Sequence, residues 1–212
     1  MPLKQIDSNR RGKYLAYGNA VGGFVMTKEQ SFRQKEGNGS AQLTTSAIQA
    51  PMRGRAMDFQ FDEKKLKFVQ RVLNNRLLFK IVLLFQVPIN FMIGMRLREL
   101  NEKSCKVSVP YRWLNKNPFK STFWAVLGMA AEMSTGALVK MYTYKLVPSV
   151  SIIVGDCSGE FVAKARDLTT FVCNDGERIA ETVKKATKTG EPQEVLCKTV
   201  GYSKAGEEVA RF

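Results

Sequence analysis

A chain of 212 residues with 33 Lys and Arg, 19 Asp and Glu and no histidine carries a formal net charge of +14. That length holds one sizeable core. Without imidazole there is neither a Ser-His-Asp nor a Cys-His catalytic set within the chain, nor a zinc site built on histidine.

Residues 1–56 are rich in Gly, Gln, Ser, Thr, Asn and basic side chains, with patches such as GNAVGG and KEGNGSAQ and no sustained period. A mostly disordered extension is expected there. Met57 is a plausible start codon, in which case the preceding stretch is upstream sequence read through from a mispredicted start, and the folded domain is 57–212. Nine basic residues against three acids fall in this extension, so the positive charge is spread over both parts. It suits an anionic partner or simply a soluble surface. No basic recognition helix or aromatic-basic sheet face is visible, so no specific nucleic-acid binding is expected.

From Asp58 to about Val87 the pattern is helical, with Phe68, Val72, Phe79, Leu83 and Val87 at spacings of four and seven. The run 77–95, LLFKIVLLFQVPINFMIGM, approaches the length of a bilayer crossing. Lys80, Gln86, Pro88 and Asn90 interrupt it, so it is read as a core-packed helix that ends at the proline, with no transmembrane segment. The chain then continues apolar through Gly94 as a short helical turn and closes at Leu100-Asn-Glu-Lys-Ser.

Lys106-Val-Ser-Val-Pro-Tyr-Arg alternates as a half-buried strand would. Asn115-Lys-Asn-Pro-Phe-Lys is a loop by composition. Ser121 or Thr122 is positioned to cap a long helix, TFWAVLGMAAEMSTGALVKMY, which is apolar nearly all round and therefore expected to be wrapped by other structure. Glu132 lies at its middle, where a carboxylate is paired, at an interface or functional.

Ser151 to Gly155 and Gly159 to Arg166 read as a hairpin around Asp156-Cys-Ser-Gly, and Leu168 to Cys173 as a further strand. Asn174-Asp-Gly opens an amphipathic helix through about Lys188, ended by Gly190. Val195 to Tyr202 and Glu207 to Phe212 are two strands joined by Ser203-Lys-Ala-Gly. The fold class is α+β, an antiparallel sheet with helices on one face. The four cysteines, Cys105, Cys157, Cys173 and Cys197, show no CxxC pair and read as isolated, mostly buried, reduced thiols, which makes the cytoplasm the expected compartment.

Strand, asparagine loop and apolar helix in this order resemble the hot-dog fold, in which a curved antiparallel sheet wraps one long helix. The chain from about residue 65 onward is similar to the phenylacetate-degradation and 4-hydroxybenzoyl-CoA thioesterase-like superfamily, specifically to a poorly characterised bacterial branch. Asn117 falls on that family's loop asparagine and Glu132 on its helical acid. Pro118, Lys120 and Phe123-Trp124-Ala125 depart from the usual His, Gly and His-Gly-Gly, and the chain stops at Phe212, early in the expected last strand.

The resemblance implies thioester hydrolysis without a cofactor or a metal, on acyl-CoA or an acyl-carrier-protein conjugate, in a homodimer or dimer of dimers. Its sheets join edge to edge, and the acid is supplied across the dimer interface. Backbone N–H groups of Thr122, Phe123 and Trp124 would hold the oxyanion. Glu132 would act as general base or nucleophile, Asn117 would orient water or the carbonyl, and Lys116 and Lys120 would meet coenzyme A phosphates.

Beside each role stands a structural one. Glu132 is alternatively satisfied by Arg112 or a backbone N–H, Asn117 is a turn residue, and the two lysines are solvated. Trp113, Phe119, Phe123 and Trp124 are core or tunnel lining. The second functional reading is an acyl-chain or lipid-binding hot-dog protein without turnover, which the missing His-Gly-Gly favours.

Overall fold

A computed structural model describes residues 59–212 together with the backbone of one earlier strand, β1 (Gly23–Lys28). That strand lies within the stretch expected to have no regular structure. Its six residues, GFVMTK, place Phe24, Val25 and Met26 in succession, a β-prone run inside polar surroundings. The remaining expectations for 1–56 lie outside the described residues.

The single helix expected over 58–87 is two helices, α1 (Glu63–Asn74) and α2 (Arg76–Gln86). Asn75 makes the break. Its N–H closes α1 on the Arg71 carbonyl, while its Oδ1 accepts from the N–H groups of Leu77 and Leu78 at 3.0 and 3.1 Å, capping α2. A third short helix, α3 (Pro88–Met92), starts on Pro88, where the missing N–H costs nothing.

Gly94, at a φ of 74°, then turns the chain into β2 (Arg96–Leu100). The sequence pattern favours a helical continuation here, but RLREL pairs antiparallel with β3 (Cys105–Val109), burying Leu97 and Leu100 on either side of a register irregularity between Leu97 and Glu99. Asn74 fastens it to α1: its carboxamide exchanges two hydrogen bonds with the backbone of Leu100, at 2.8 and 2.9 Å.

The long apolar helix is α4 (Trp124–Thr143). Phe123, rather than Ser121 or Thr122, holds the cap position, and it offers no side-chain bond. The Thr122 hydroxyl instead donates to the Ala165 carbonyl, which ties the helix start to a connection that enters the sheet at Thr169. Beyond α4 come β4 (Val150–Asp156), β5 (Glu160–Phe161), β6 (Thr169–Cys173), α5 (Gly176–Thr189), β7 (Gln193–Val195), β8 (Thr199–Tyr202) and β9 (Glu208–Arg211). Gly190, at a φ of 71°, ends α5 as expected.

The strands form an antiparallel sheet of order β2-β3-β6-β8-β9-β5 and a smaller one of order β4-β1-β7. Two expectations fail on this point. β4 and β5 do not pair with each other, because the turn Asp156-Cys-Ser-Gly carries the chain from β1's sheet to the edge beside β9. The stretch Val195–Tyr202 is likewise divided: β7 joins β1 and β8 joins β6, and the break falls where the Lys198 N–H turns to Asp175 Oδ2 at 2.7 Å.

The larger sheet wraps α4, and the core lies between them. Val107, Val109, Phe171 and Val209 from the sheet meet Leu138 and Met141 from the helix, with Ile179 and Val183 of α5 closing the side. One polar pair is buried in this interface, the hydroxyls of Ser134 and Thr199 at 2.8 Å. Because each satisfies the other, the pair fixes the helix's rotation against β8 without leaving an unmet polar group.

Candidate active site around helix α4

The start of α4 is held by two asparagines. Asn115, fully buried at the end of a helical turn formed by Trp113–Asn115, donates from Nδ2 to the carbonyls of Ile93 at 2.9 Å and Pro110 at 2.7 Å. Its own carbonyl accepts the Phe123 N–H at 2.7 Å. Its Oδ1 is buried without a partner among the described residues.

Asn117 shapes the loop itself. Its Oδ1 accepts the N–H groups of Phe119 and Ser121 at 3.0 and 3.2 Å, while Nδ2 reaches Ser121 Oγ at 3.1 Å. The carboxamide is engaged by its own turn, which is the Asx geometry expected of a loop former.

Of the three backbone donors expected at the helix start, two are internal. The Thr122 N–H is bonded to the Ala165 carbonyl and the Phe123 N–H to that of Asn115, both at 2.7 Å. Among the described residues the N–H groups of Trp124 and Ala125 have no acceptor, as the first turn of a helix requires. They stand at the positive end of a helix of 20 residues. Lys116 and Lys120 are exposed on the preceding loop, and so are Trp113, Phe119, Phe123 and Trp124. These aromatics line no core or tunnel within the protomer.

Glu132 is eight residues further along, about 12 Å up the helix axis at the usual rise per residue. The burial expected of it is absent, for its side chain is exposed. Neither Arg112 nor a backbone N–H bonds the carboxylate among the described residues. It stands instead between two cavities.

One, of about 430 Å³, is bordered by Gly128, Asp156, Cys157, Lys198 and Phe212. The other is a groove of about 810 Å³ between α4 and the α1–α3 layer, lined by Phe79, Leu83, Val87, Met129, Met133 and Tyr144. Sequence reading missed this groove because it lies between helices distant in the chain. Its signal was the pair of methionines one turn apart on either side of Glu132. The helix start borders neither cavity, so one protomer does not bring Glu132 together with Asn117, Lys116, Lys120 or the donors at Trp124 and Ala125.

Three thiols are unsuited to nucleophilic work. Burial pushes the Cys105 thiol far up, that of Cys173 up to about 11 and that of Cys197 up to about 12. Cys157, by contrast, is exposed. Among the described residues no group of acids, cysteines or histidines could hold a metal ion, and no helix is long and apolar enough to cross a membrane.

Residues 75–212 match the model of the family described as a domain of unknown function, DUF4442. The chain belongs to that family. No curated protein matches this DUF4442 chain.

Among solved structures it is similar to a protein of unknown function from Chlorobaculum tepidum, with a TM-score of 0.55 and 14% identity over 70% of this chain and 90% of that one. It is similar too to a Pseudomonas aeruginosa protein described as a "probable thioesterase", with a TM-score of 0.51 and 19% identity over 68% and 89%. The likeness establishes the hot-dog fold for this DUF4442 chain, with α4 as the enclosed helix.

Proposed function

We propose that the protein hydrolyses an acyl thioester carried on coenzyme A or an acyl-carrier protein, with each site shared between two protomers. The observation that carries this reading is Glu132, a carboxylate without a protein partner among the described residues, at the midpoint of the wrapped helix and open to two cavities. The vacant donors at Trp124 and Ala125 are about 10–12 Å from it along the axis of its own helix. A partner's helix start facing it would complete the set.

The edge strands β5, with exposed Phe161, and β4, with Ile152, Ile153 and Val154 exposed on both of its faces, support a homodimer formed edge to edge. The alternative, retention of an acyl chain without turnover, has one observation in its favour. Trp124 is bulky where the related enzymes keep a glycine, and it stands beside the donors a thioester has to reach.

In the hydrolytic reading the Glu132 carboxylate takes a proton from water as the hydroxide oxygen bonds to the thioester carbonyl carbon. The carbonyl π pair moves onto oxygen, where the N–H groups of Trp124 and Ala125 stabilise it at the helix's positive end. Collapse breaks the C–S bond, and the leaving thiolate receives the proton from Glu132, giving a carboxylic acid and a free thiol. The groove of about 810 Å³ is of a size to hold the acyl chain. Lys116 and Lys120 meet the phosphates of the carrier. Asn117 acts as a positioning residue, through the loop it folds.

The test is release of free thiol from a panel of acyl-CoAs. Glu132→Ala is expected to lower kcat by about 10²- to 10⁴-fold, the range for loss of a general base, with an unchanged melt because the side chain is exposed. Lys116→Ala with Lys120→Ala is expected to raise KM for acyl-CoA and leave kcat alone. Equal and negligible rates in wild type and Glu132→Ala would reject hydrolysis. Acyl-chain binding in that protein would then establish the second reading.

A further inference from the structure

Helix α2 is built from RLLFKIVLLFQ, yet only Phe79 and Leu83 face the core. By helical spacing, Leu77, Ile81, Leu84 and Phe85 fall together on the opposite side, where Phe85 is 80% and Leu77 68% exposed. This is an outward ridge rather than a groove, and Met92 of the following α3 is exposed as well. An apolar ridge of this size on a surface marks a contact.

The charge beside it indicates the partner. Arg76 and Lys80, one turn apart, flank the ridge on α2. Arg96 and Arg98 on the adjoining β2, and Arg112, whose guanidinium fills the space beside Gly94 after α3, gather next to them. Arg96 is held below the usual guanidinium range by desolvation and by the neighbouring charges of Arg76, Arg98 and Arg112, which places all four in one field. None of these arginines has a carboxylate partner among the described residues. The one acid on β2, Glu99, is taken by Lys106 at 2.7 Å. A second protein chain would have to bring a matching acidic rim around an oily centre, whereas an anionic bilayer offers both together: acyl chains below and phosphates at the level of the basic fringe.

We propose that α2 and α3 form a docking face for an anionic membrane surface. Leu77, Ile81, Leu84 and Phe85 enter the acyl-chain boundary, and Arg76, Lys80 and the arginines of β2 meet the lipid phosphates. The helix lies in the interface plane and does not cross it, since 11 residues span only about 16 Å. The proposal stands apart from thioester hydrolysis and holds for either reading of the Glu132 site.

The experiment is co-sedimentation of the full chain with vesicles of phosphatidylcholine and phosphatidylglycerol in equal parts, and with phosphatidylcholine alone. The expected result is binding to the mixed vesicles that weakens with salt, and little to the neutral ones. Arg76→Ala with Lys80→Ala should lower partitioning about thirtyfold, from roughly fivefold per basic residue. Phe85→Ser should lower it at least about tenfold, with an unchanged melt.

Absence of wild-type binding to the mixed vesicles overturns the proposal, and so does equal binding by the wild type and both variants. If Phe85→Ser instead dissolves an oligomer of a chain that ignores vesicles, the face belongs to a second copy and the membrane reading is lost.

Discussion

Helices α2 and α4 are both oily sequences, yet the protein treats them in opposite ways. α4 is enclosed by the sheet, α1 and α5, and buries residues on every side except around Glu132. α2 lies on the outside and buries only Phe79 and Leu83. The difference teaches that apolar content states what a helix could bury, while the number of surrounding layers decides what it does bury. For α4 the sheet curves around and supplies those layers. For α2 there is β2 on one side and the groove on another, and the remaining face looks outward.

Truncation tests this contrast most sharply. Leu138→Ala, at a fully buried α4 position, is expected to cost about 2–5 kcal/mol in urea unfolding. Leu84→Ala on the outer face of α2 should stay within about 0.5 kcal/mol. Equal losses would mean that α2 is covered in solution.

The buried thiols give the next effect, through pH. The thiols of Cys173 and Cys197 lie at about 11 and about 12 in the fold, both raised by burial from an ordinary value of 9.0. Their contribution to stability is therefore complete below about pH 9 and is lost as pH rises through the folded values. Between those limits each thiol contributes a slope of up to about 1.4 kcal/mol per pH unit. The melting temperature should fall above pH 9, and Cys173→Ala with Cys197→Ala should flatten that fall; an equally steep fall in the double variant would refute this assignment.

A smaller loss belongs to the joint between α1 and α2. Asn75→Ala removes two capping bonds and is expected to cost about 1 kcal/mol by thermal melt. No loss would show that packing of Phe79 and Leu83 alone sets where α2 begins.

Much of the fold was legible because local and long-range signals agree. A long apolar run behind a capping loop marked α4 and amphipathic periodicity marked α5, Gly190 ended the latter, and Ser203-Lys-Ala-Gly joined the last two strands. The failures among the strands share a cause, for each turned on which distant segment a strand would meet, whereas the break between α1 and α2 is the local work of Asn75. RLREL is a strand because β3 folds back on it, and Val195–Tyr202 divides because Asp175 captures Lys198 at the turn.

In the candidate site, Glu132 was recognisable as a lone acid in an oily helix. The occupied N–H groups of Thr122 and Phe123 were not, since their acceptors, Ala165 and Asn115, are identified only by the tertiary arrangement. Sequence also placed Glu132 in the interior, because an all-apolar helix does not reveal which of its sides is left open.

Cys157 lends itself to spectroscopy. It is the one exposed thiol of the four and borders the cavity shared with Glu132, while Cys105 and Cys173 are buried and the half-buried Cys197 has its thiol pushed up to about 12, which keeps it protonated and slow to react. A maleimide dye should therefore attach to the unaltered protein at a single place. Its emission would then register whatever enters that chamber or closes over the β4 edge, a reporter available without engineering the chain.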